Sequence, residues 1–187
     1  LIELDQSTLP LNGEIWYRWK MYFPDDYTIT YPAKTYHFRF IERGGEVNWS
    51  LEIGSTGVLW LGNYVADDAT YYPLIDEGEL LSQWHEFSVH VKWGSAGGFF
   101  KVWVNGKAKV DYEGPTCKDC RMRIGYGIMR SGLDKYRQAY PNNQLPTQVV
   151  YYSGLERSSS GINYPGYTPE QKASTVFLYI AVNFRSK

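Results

Sequence analysis

The sequence predicts an all-β domain, a two-sheet antiparallel jelly-roll sandwich, and three observations predict it. Apolar and polar residues alternate with a period of two through most of the chain, the pattern of strands that bury one face. Turn signals such as Gly44-Gly45 and Asn105-Gly106 separate these segments at short intervals. The 187 residues, 43% hydrophobic and 21% charged, suffice for one domain with a sizeable core.

The first strand is Glu14–Phe23, where Ile15, Tyr17, Trp19, Met21 and Phe23 oppose Trp16, Arg18, Lys20 and Tyr22. Pro24-Asp25-Asp26 ends it. In Thr35–Arg43, strict alternation sets Tyr36, Phe38 and Phe40 against His37, Arg39, Ile41 and Arg43. In Val47–Ile53 the apolar set is Val47, Trp49, Leu51 and Ile53. Val58–Leu61 is a short apolar run, and Asp76–Gln83 is the stretch in which a helical turn or two is expected. Trp84–Trp93 sets Phe87, Val89, Val91 and Trp93 against Glu86, Ser88, His90 and Lys92.

Phe99–Val104 and Lys107–Tyr112 read as a hairpin around Asn105-Gly106, a pair suited to the left-handed conformations of a type I′ turn. Arg121–Arg130 puts Met122, Ile124, Tyr126 and Ile128 on one face. Arg121, Arg123 and Met129 lie on the other with Gly125 and Gly127, whose bare backbone suits a close approach. Ser131–Pro146 reads as a long polar loop carrying Tyr136 and Tyr140. Gln148–Leu155 and Thr175–Phe184 are the last expected strands, and about nine short strands of this kind read as a sandwich.

The net charge of −1 argues against nucleic acid or an anionic membrane surface as partner. No apolar run is long enough to span a bilayer. The chain starts at Leu1 without a methionine, so a processed protein or a segment of a longer one is expected. The 17 tyrosines and 7 tryptophans suit half-exposed binding surfaces as well as strand packing. The two cysteines, Cys117 and Cys120, lack the second pair a zinc site needs. They are expected as a local disulfide in a secreted protein or as free thiols in a cytosolic one. Asn48-Trp49-Ser50 is formally a glycosylation sequon inside a strand.

No metal and no cofactor is expected, since His37, His85 and His90 are not at ligand spacing and no phosphate loop or nucleophile elbow is present. His85 and His90 read as structural or solvated. His37 with Arg39 and Arg43 on one face could recognise a carboxylate, because guanidinium presents a two-pronged donor fork. Glu42, Glu46, Glu52 and Glu86 would form a hydrolytic pair only if the fold set two of them about 5–10 Å apart.

The run Trp84–Trp93, the segment Phe100-Lys101-Val102-Trp103-Val104-Asn105-Gly106 and Gly127-Ile128-Met129-Arg130 together resemble the heparin-lyase-like and glucuronan-lyase-like jelly rolls, relatives of the alginate lyases. Trp16-Tyr17 through Phe23-Pro24-Asp25 and Val149-Val150-Tyr151-Tyr152 extend the resemblance over about residues 1–157. It implies a concanavalin-like or lectin-like sandwich over residues 1–157, with 158–187 as a loop and C-terminal strand completing or extending it. It also implies cleavage of uronic-acid glycans by β-elimination. That reaction needs a group to neutralise the uronate, a base (usually Tyr or His) for the C5 proton, and an acid for the leaving oxygen.

Several matching positions depart from the family pattern. Leu1 stands where the Arg of an Arg-x-Glu would be, and His37-Phe38-Arg39-Phe40-Ile41 stands at the Gln-x-His strand. Met129 replaces the Tyr of Gly-Ile-Tyr-Arg, and a thioether cannot shuttle a proton. The expectation is therefore a lyase-like module that holds acidic polysaccharide, or assembles into a larger extracellular or virion structure, without the usual catalysis. The alternatives are an active lyase, with His37 and Arg39 as catalytic candidates, and a purely structural subunit that forms a homo-oligomer or larger assembly. Arg39, Arg121, Arg123 and Tyr136 are the candidate substrate-binding residues.

Overall fold

Period-two segments become antiparallel strands here wherever one face can be buried against a second sheet. The computed structural model describes residues 13–158 and, as backbone pairing, residues 2–4 and 180–181. In chain order the strands are β1 (Ile2–Leu4), β2 (Glu14–Tyr22), β3 (Lys34–Glu42), β4 (Val47–Ile53), β5 (Leu59–Asn63) and β6 (Thr70–Ile75). They continue with β7 (Trp84–Lys92), β8 (Gly98–Val104), β9 (Lys107–Gly114), β10 (Met122–Ser131), β11 (Tyr151–Ser158) and β12 (Ile180–Ala181). The first sheet has the order β1-β10-β3-β4-β5-β6, and the second has the order β12-β11-β2-β7-β8-β9. All pairings within the sheets are antiparallel, giving the expected jelly-roll sandwich.

The core is an aromatic layer between the sheets. Trp19 of β2 stacks on Phe38 of the opposite sheet at 4.0 Å and on Phe87 at 5.3 Å. Trp49 of β4 stacks on Phe100 at 4.1 Å, and its indole N–H donates to the Thr116 carbonyl at 2.9 Å. Stacked rings of this kind bury large apolar area and fix one sheet against the other. The Asn105-Gly106 turn has φ of 51° and 76°, as a type I′ hairpin requires.

The strand β3 departs from simple alternation. Relative to β4 it carries an extra residue between Tyr36 and Phe38, and relative to β3 the strand β10 carries its own irregularity between Tyr126 and Met129. Gly127, in that second irregularity, has a φ of 111°, where a side chain would be strained. Tyr36 consequently faces outward, whereas His37 and Phe38 both turn inward and Arg39 faces outward again. The expectation that His37 and Arg39 share a face is thus corrected, because a bulge shifts the parity of every residue on one side of it.

Other expectations change locally. The loop 131–146 contains a short helix, α1 (Leu133–Ala139), and Asp76–Gln83 contains a single 3-10 turn, Glu77–Glu79. The strand expected from Gln148 starts at Tyr151, because Gln148 is used as a buried hydrogen-bonding hub instead. Its amide N–H donates to Thr28 O at 2.7 Å, and its oxygen accepts from Arg130 Nε at 2.7 Å. The run Thr70–Ile75 is an additional strand at the edge of its sheet, the position that tolerates Pro73. Of the expected strand Thr175–Phe184, Ile180–Ala181 pairs with β11, and the rest lies outside the described residues.

Cys117 and Cys120 form a disulfide. The loop they close is held by the buried carboxylate of Glu42. Its Oε1 accepts from Asn48 Nδ2 at 2.6 Å, from the backbone N–H of Asp119 at 3.0 Å and from that of Lys118. Asn48 is 1% exposed, so the sequon amide is committed to the interior.

Candidate functional site

The outer face of the first sheet gathers side chains from five strands in two register rows. One row runs Gly125, Arg39, Ser50, Gly62, Tyr71 across β10, β3, β4, β5 and β6. The next runs Met129, Tyr36, Glu52, Trp60, Pro73. Gly125, Ser50 and Gly62 keep the first row low around Arg39, while the second carries larger rings. Neighbouring strands lie about 4.8 Å apart, so Arg39 and Tyr71 stand about 14 Å apart at the backbone, three strands away.

At the β4–β6 side the polar groups form a network around Glu52, which is 3% exposed. Its Oε1 accepts from Lys34 Nζ at 3.1 Å, and its Oε2 accepts from Tyr64 OH at 2.6 Å and from Ser50 Oγ at 3.1 Å. Lys34 also donates to Tyr71 OH at 3.2 Å and lies 5.0 Å from the centre of that ring. Burial opposes the Lys34 charge, but the hydrogen bonds to Tyr71 and Glu52 and the Glu52 charge outweigh it and hold the ammonium above its ordinary range. Burial, followed by the hydrogen bonds to Glu52 and Tyr71, pushes the Tyr64 hydroxyl far above the usual phenol range. Tyr64 therefore keeps its proton and acts as a donor. Gly62 makes this geometry available, since a Cβ there would stand 2.7 Å from the Tyr64 ring.

The sequence-derived candidates are dispersed. Arg39 lies on this face and is 7% exposed. Arg123 is half-buried on β10, in register with Ile41 and on the outward parity shared with Gly125. Arg121 precedes β10 and grips Asp119 with two nitrogens, Nε at 3.0 and 3.1 Å and Nη2 at 2.7 Å. Tyr136 is buried on α1, 5.0 Å from the Tyr140 ring. His37 is fully buried, and burial, followed by the charge of Arg130, pushes its pKa down to about 3. His85 hydrogen-bonds Leu80 O at 2.9 Å, and His90 stacks on Trp16 at 3.5 Å on the second sheet. Glu42, Glu52 and Glu86 are likewise committed to separate contacts, and Glu46 lies 4.0 Å from the Lys118 ammonium. Glu42 holds the disulfide loop, Glu86 pairs with Arg18 on the second sheet, and Glu52 lies on the first. Among the described residues no group of three or more His, Cys, Asp or Glu could hold a metal ion.

Lys34, Trp60, Tyr64 and Tyr71 were not reached by sequence reasoning. The signal that could have found Tyr71 is Thr70–Ile75 read as an edge strand despite its proline. The sequence profile of the polysaccharide lyase family matches residues 2–156. The chain belongs to the polysaccharide lyase family.

Solved structures agree on the fold. The alginate lyase vAL-1 from Chlorella virus is 14% identical with a TM-score of 0.55, over 81% of this chain and 72% of that one. The catalytic domain of a glycoside hydrolase family 131 protein from Coprinopsis cinerea is 15% identical with a TM-score of 0.53, over 85% of this chain and 61% of that one. An alginate lyase from Alteromonas sp. 272 is 8% identical with a TM-score of 0.51, over 83% of this chain and 76% of that one. At such identities the likeness establishes the family's jelly-roll architecture alone. No curated protein matches by sequence.

Proposed function

We propose that this polysaccharide lyase family member binds a uronic-acid polysaccharide along the outer face of its first sheet and holds it without β-elimination. One observation carries the reading: the bulge in β3 turns His37 into the core while leaving Arg39 on the outer face. A buried imidazole with its pKa near 3 neither meets substrate nor takes a C5 proton from it. Met129 stands where the family resemblance calls for Tyr, and its thioether offers no proton. What remains on the face, Arg39, Arg123, Lys34 and the rings of Tyr36, Trp60 and Tyr71, suits recognition of carboxylates and sugar faces.

A second reading has a specific observation in its favour. Tyr36 pairs directly with Met129 across β3 and β10 and carries a phenol on the same face, hydrogen-bonded to Ser131 at 3.3 Å. A phenol supplied from the facing strand could replace the missing one, and the chain would then be an active lyase. The two readings separate on incubation with glucuronan, alginate and heparin. Elimination creates an unsaturated uronate that absorbs in the ultraviolet. The binding reading expects no rise in absorbance, but calorimetric binding that is lost in Arg39→Ala with Arg123→Ala. A rise that disappears in Tyr36→Phe establishes the lyase reading instead.

Both readings fit an extracellular setting, where such glycans and a disulfide persist. The third reading, a subunit of a virion or other assembly, draws on the exposed Trp84 and Tyr151 that flank half-buried Tyr22 across the second sheet. It requires a stable oligomer, and a monomer in sedimentation at high concentration removes it.

A further inference from the structure

We infer that the pocket between Lys34, Trp60 and Tyr71 is an end subsite of the binding face, which takes one uronate residue of the bound chain. The inference rests on the reading of that face as a binder of uronic-acid glycan and adds where along it the chain is gripped.

The pocket has a volume of about 280 Å³ and is lined by Lys34, Glu52, Ser55, Thr56, Trp60 and Tyr71. This lies just under the range of cavities that hold drug-sized ligands, and it suits a single sugar ring. Its chemistry is that of an acidic sugar: one ammonium for the carboxylate, two small hydroxyls for the ring oxygens, and an indole face for the apolar side of the ring.

The Glu52 carboxylate does not work against this. It is turned into the sheet, with its oxygens engaged by Lys34, Ser50 and Tyr64 and its side chain 4% exposed. Lys34 is the accessible member of the pair, with its side chain 41% exposed. An ammonium has three donors, and Glu52 and Tyr71 use two, leaving one for a ligand. The Tyr71 ring beneath the ammonium and the Glu52 oxygen beside it fix its position before the ligand arrives.

Across the sheet Tyr71 stands about 14 Å from Arg39, and along β3 Lys34 stands about 15 Å from it, so only a chain of several sugars reaches from the pocket to Arg39. Calorimetry with glucuronan and alginate oligosaccharides of defined length tests this on the wild type, Trp60→Ala, Lys34→Gln and Lys34→Arg, with thermal melts as the folding control. The expected result is that Trp60→Ala and Lys34→Gln each weaken the longest oligosaccharides about tenfold and leave the shortest bound ones unchanged, with Lys34→Arg retaining most of the affinity. Unchanged affinity at every length in Trp60→Ala and Lys34→Gln overturns the subsite while the binding face stands. An equal loss at every length also overturns it. If the wild type binds no uronate oligosaccharide of any length, the subsite and the binding face fall together.

Discussion

His37 Nε2 lies 3.0 Å from the Tyr27 hydroxyl in the interior of the sandwich. Tyr152 closes the other side, its hydroxyl 3.4 Å from Nδ1 and 3.2 Å from the His37 carbonyl. Burial raises both phenols, so each keeps its proton. One arrangement then satisfies every group: Tyr27 donates to Nε2, Nδ1–H donates to the Tyr152 oxygen, and Tyr152 donates to the carbonyl. The imidazole that the sequence offers as a catalytic candidate thus fastens Tyr27, β3 and β11 together.

This arrangement makes the fold sensitive to acid. The native pKa of His37, about 3, lies below its unfolded value of 6.5, so below pH 6.5 the unfolded chain binds the extra proton. Stability from this residue is complete above pH 6.5 and is lost as pH falls from 6.5 toward 3, by up to about 1.4 kcal/mol per pH unit. His85 and His90, also lowered chiefly by burial, act in the same direction. Urea unfolding at pH 7 and pH 5 should show the wild type losing roughly 2 kcal/mol through His37. His37→Gln should be less stable at pH 7 but lose less on acidification, and an unchanged pH slope would refute the assignment.

The Glu42 carboxylate accepts two backbone N–H groups from the Cys117–Cys120 loop and one side-chain amide, a set that no apolar residue replaces. Glu42→Ala should cost about 2–3 kcal/mol, because hydrogen bonds to a charged acceptor are lost and buried Asn48 is left unsatisfied. The amides of Lys118 and Asp119 should exchange hydrogen faster in the variant while the disulfide remains intact. Slow exchange there would mean that the disulfide alone holds the loop.

Arg18 and Lys20 flank Glu86 at 2.9 and 3.6 Å on the second sheet, with side chains about a third to a half exposed. Solvent screens such pairs, so Glu86→Gln should cost less than about 1 kcal/mol. It should also leave glycan affinity unchanged, because the core separates Glu86 from Arg39. A loss of binding in this variant would move the glycan to the second sheet.

The strands β2, β4 and β7 were legible because alternation runs through them unbroken, and Asn105-Gly106 marked the β8–β9 hairpin directly. The bulge at His37 was not legible. Alternation carries no sign of an extra residue, and the irregularity shows only in the pairing of β3 with β4 and with β10, which lies far from both in sequence. The helix α1 was hidden because its polar exposed residues resemble those of a loop. The pocket chemistry escaped for a related reason. Lys34, Glu52, Trp60 and Tyr71 come from four strands and meet only through the pairing register.

Gly62 links that register to the chemistry. A Cβ at this position would stand 2.7 Å from Tyr64 Cε2 and 3.0 Å from its hydroxyl, so the ring must swing away in Gly62→Ala. Glu52 Oε2 then loses the 2.6 Å donor that Tyr64 supplies. The expected cost is about 1.5–3 kcal/mol, the range for a hydrogen bond to a charged group, and Tyr64→Phe should cost a similar amount. The two changes should not add, because a phenylalanine without the Glu52 anchor moves aside more readily for the new methyl. Urea unfolding of both single variants and the double variant measures this. A double variant whose loss equals the sum of the single losses would mean that Gly62 acts on something other than the Tyr64–Glu52 bond.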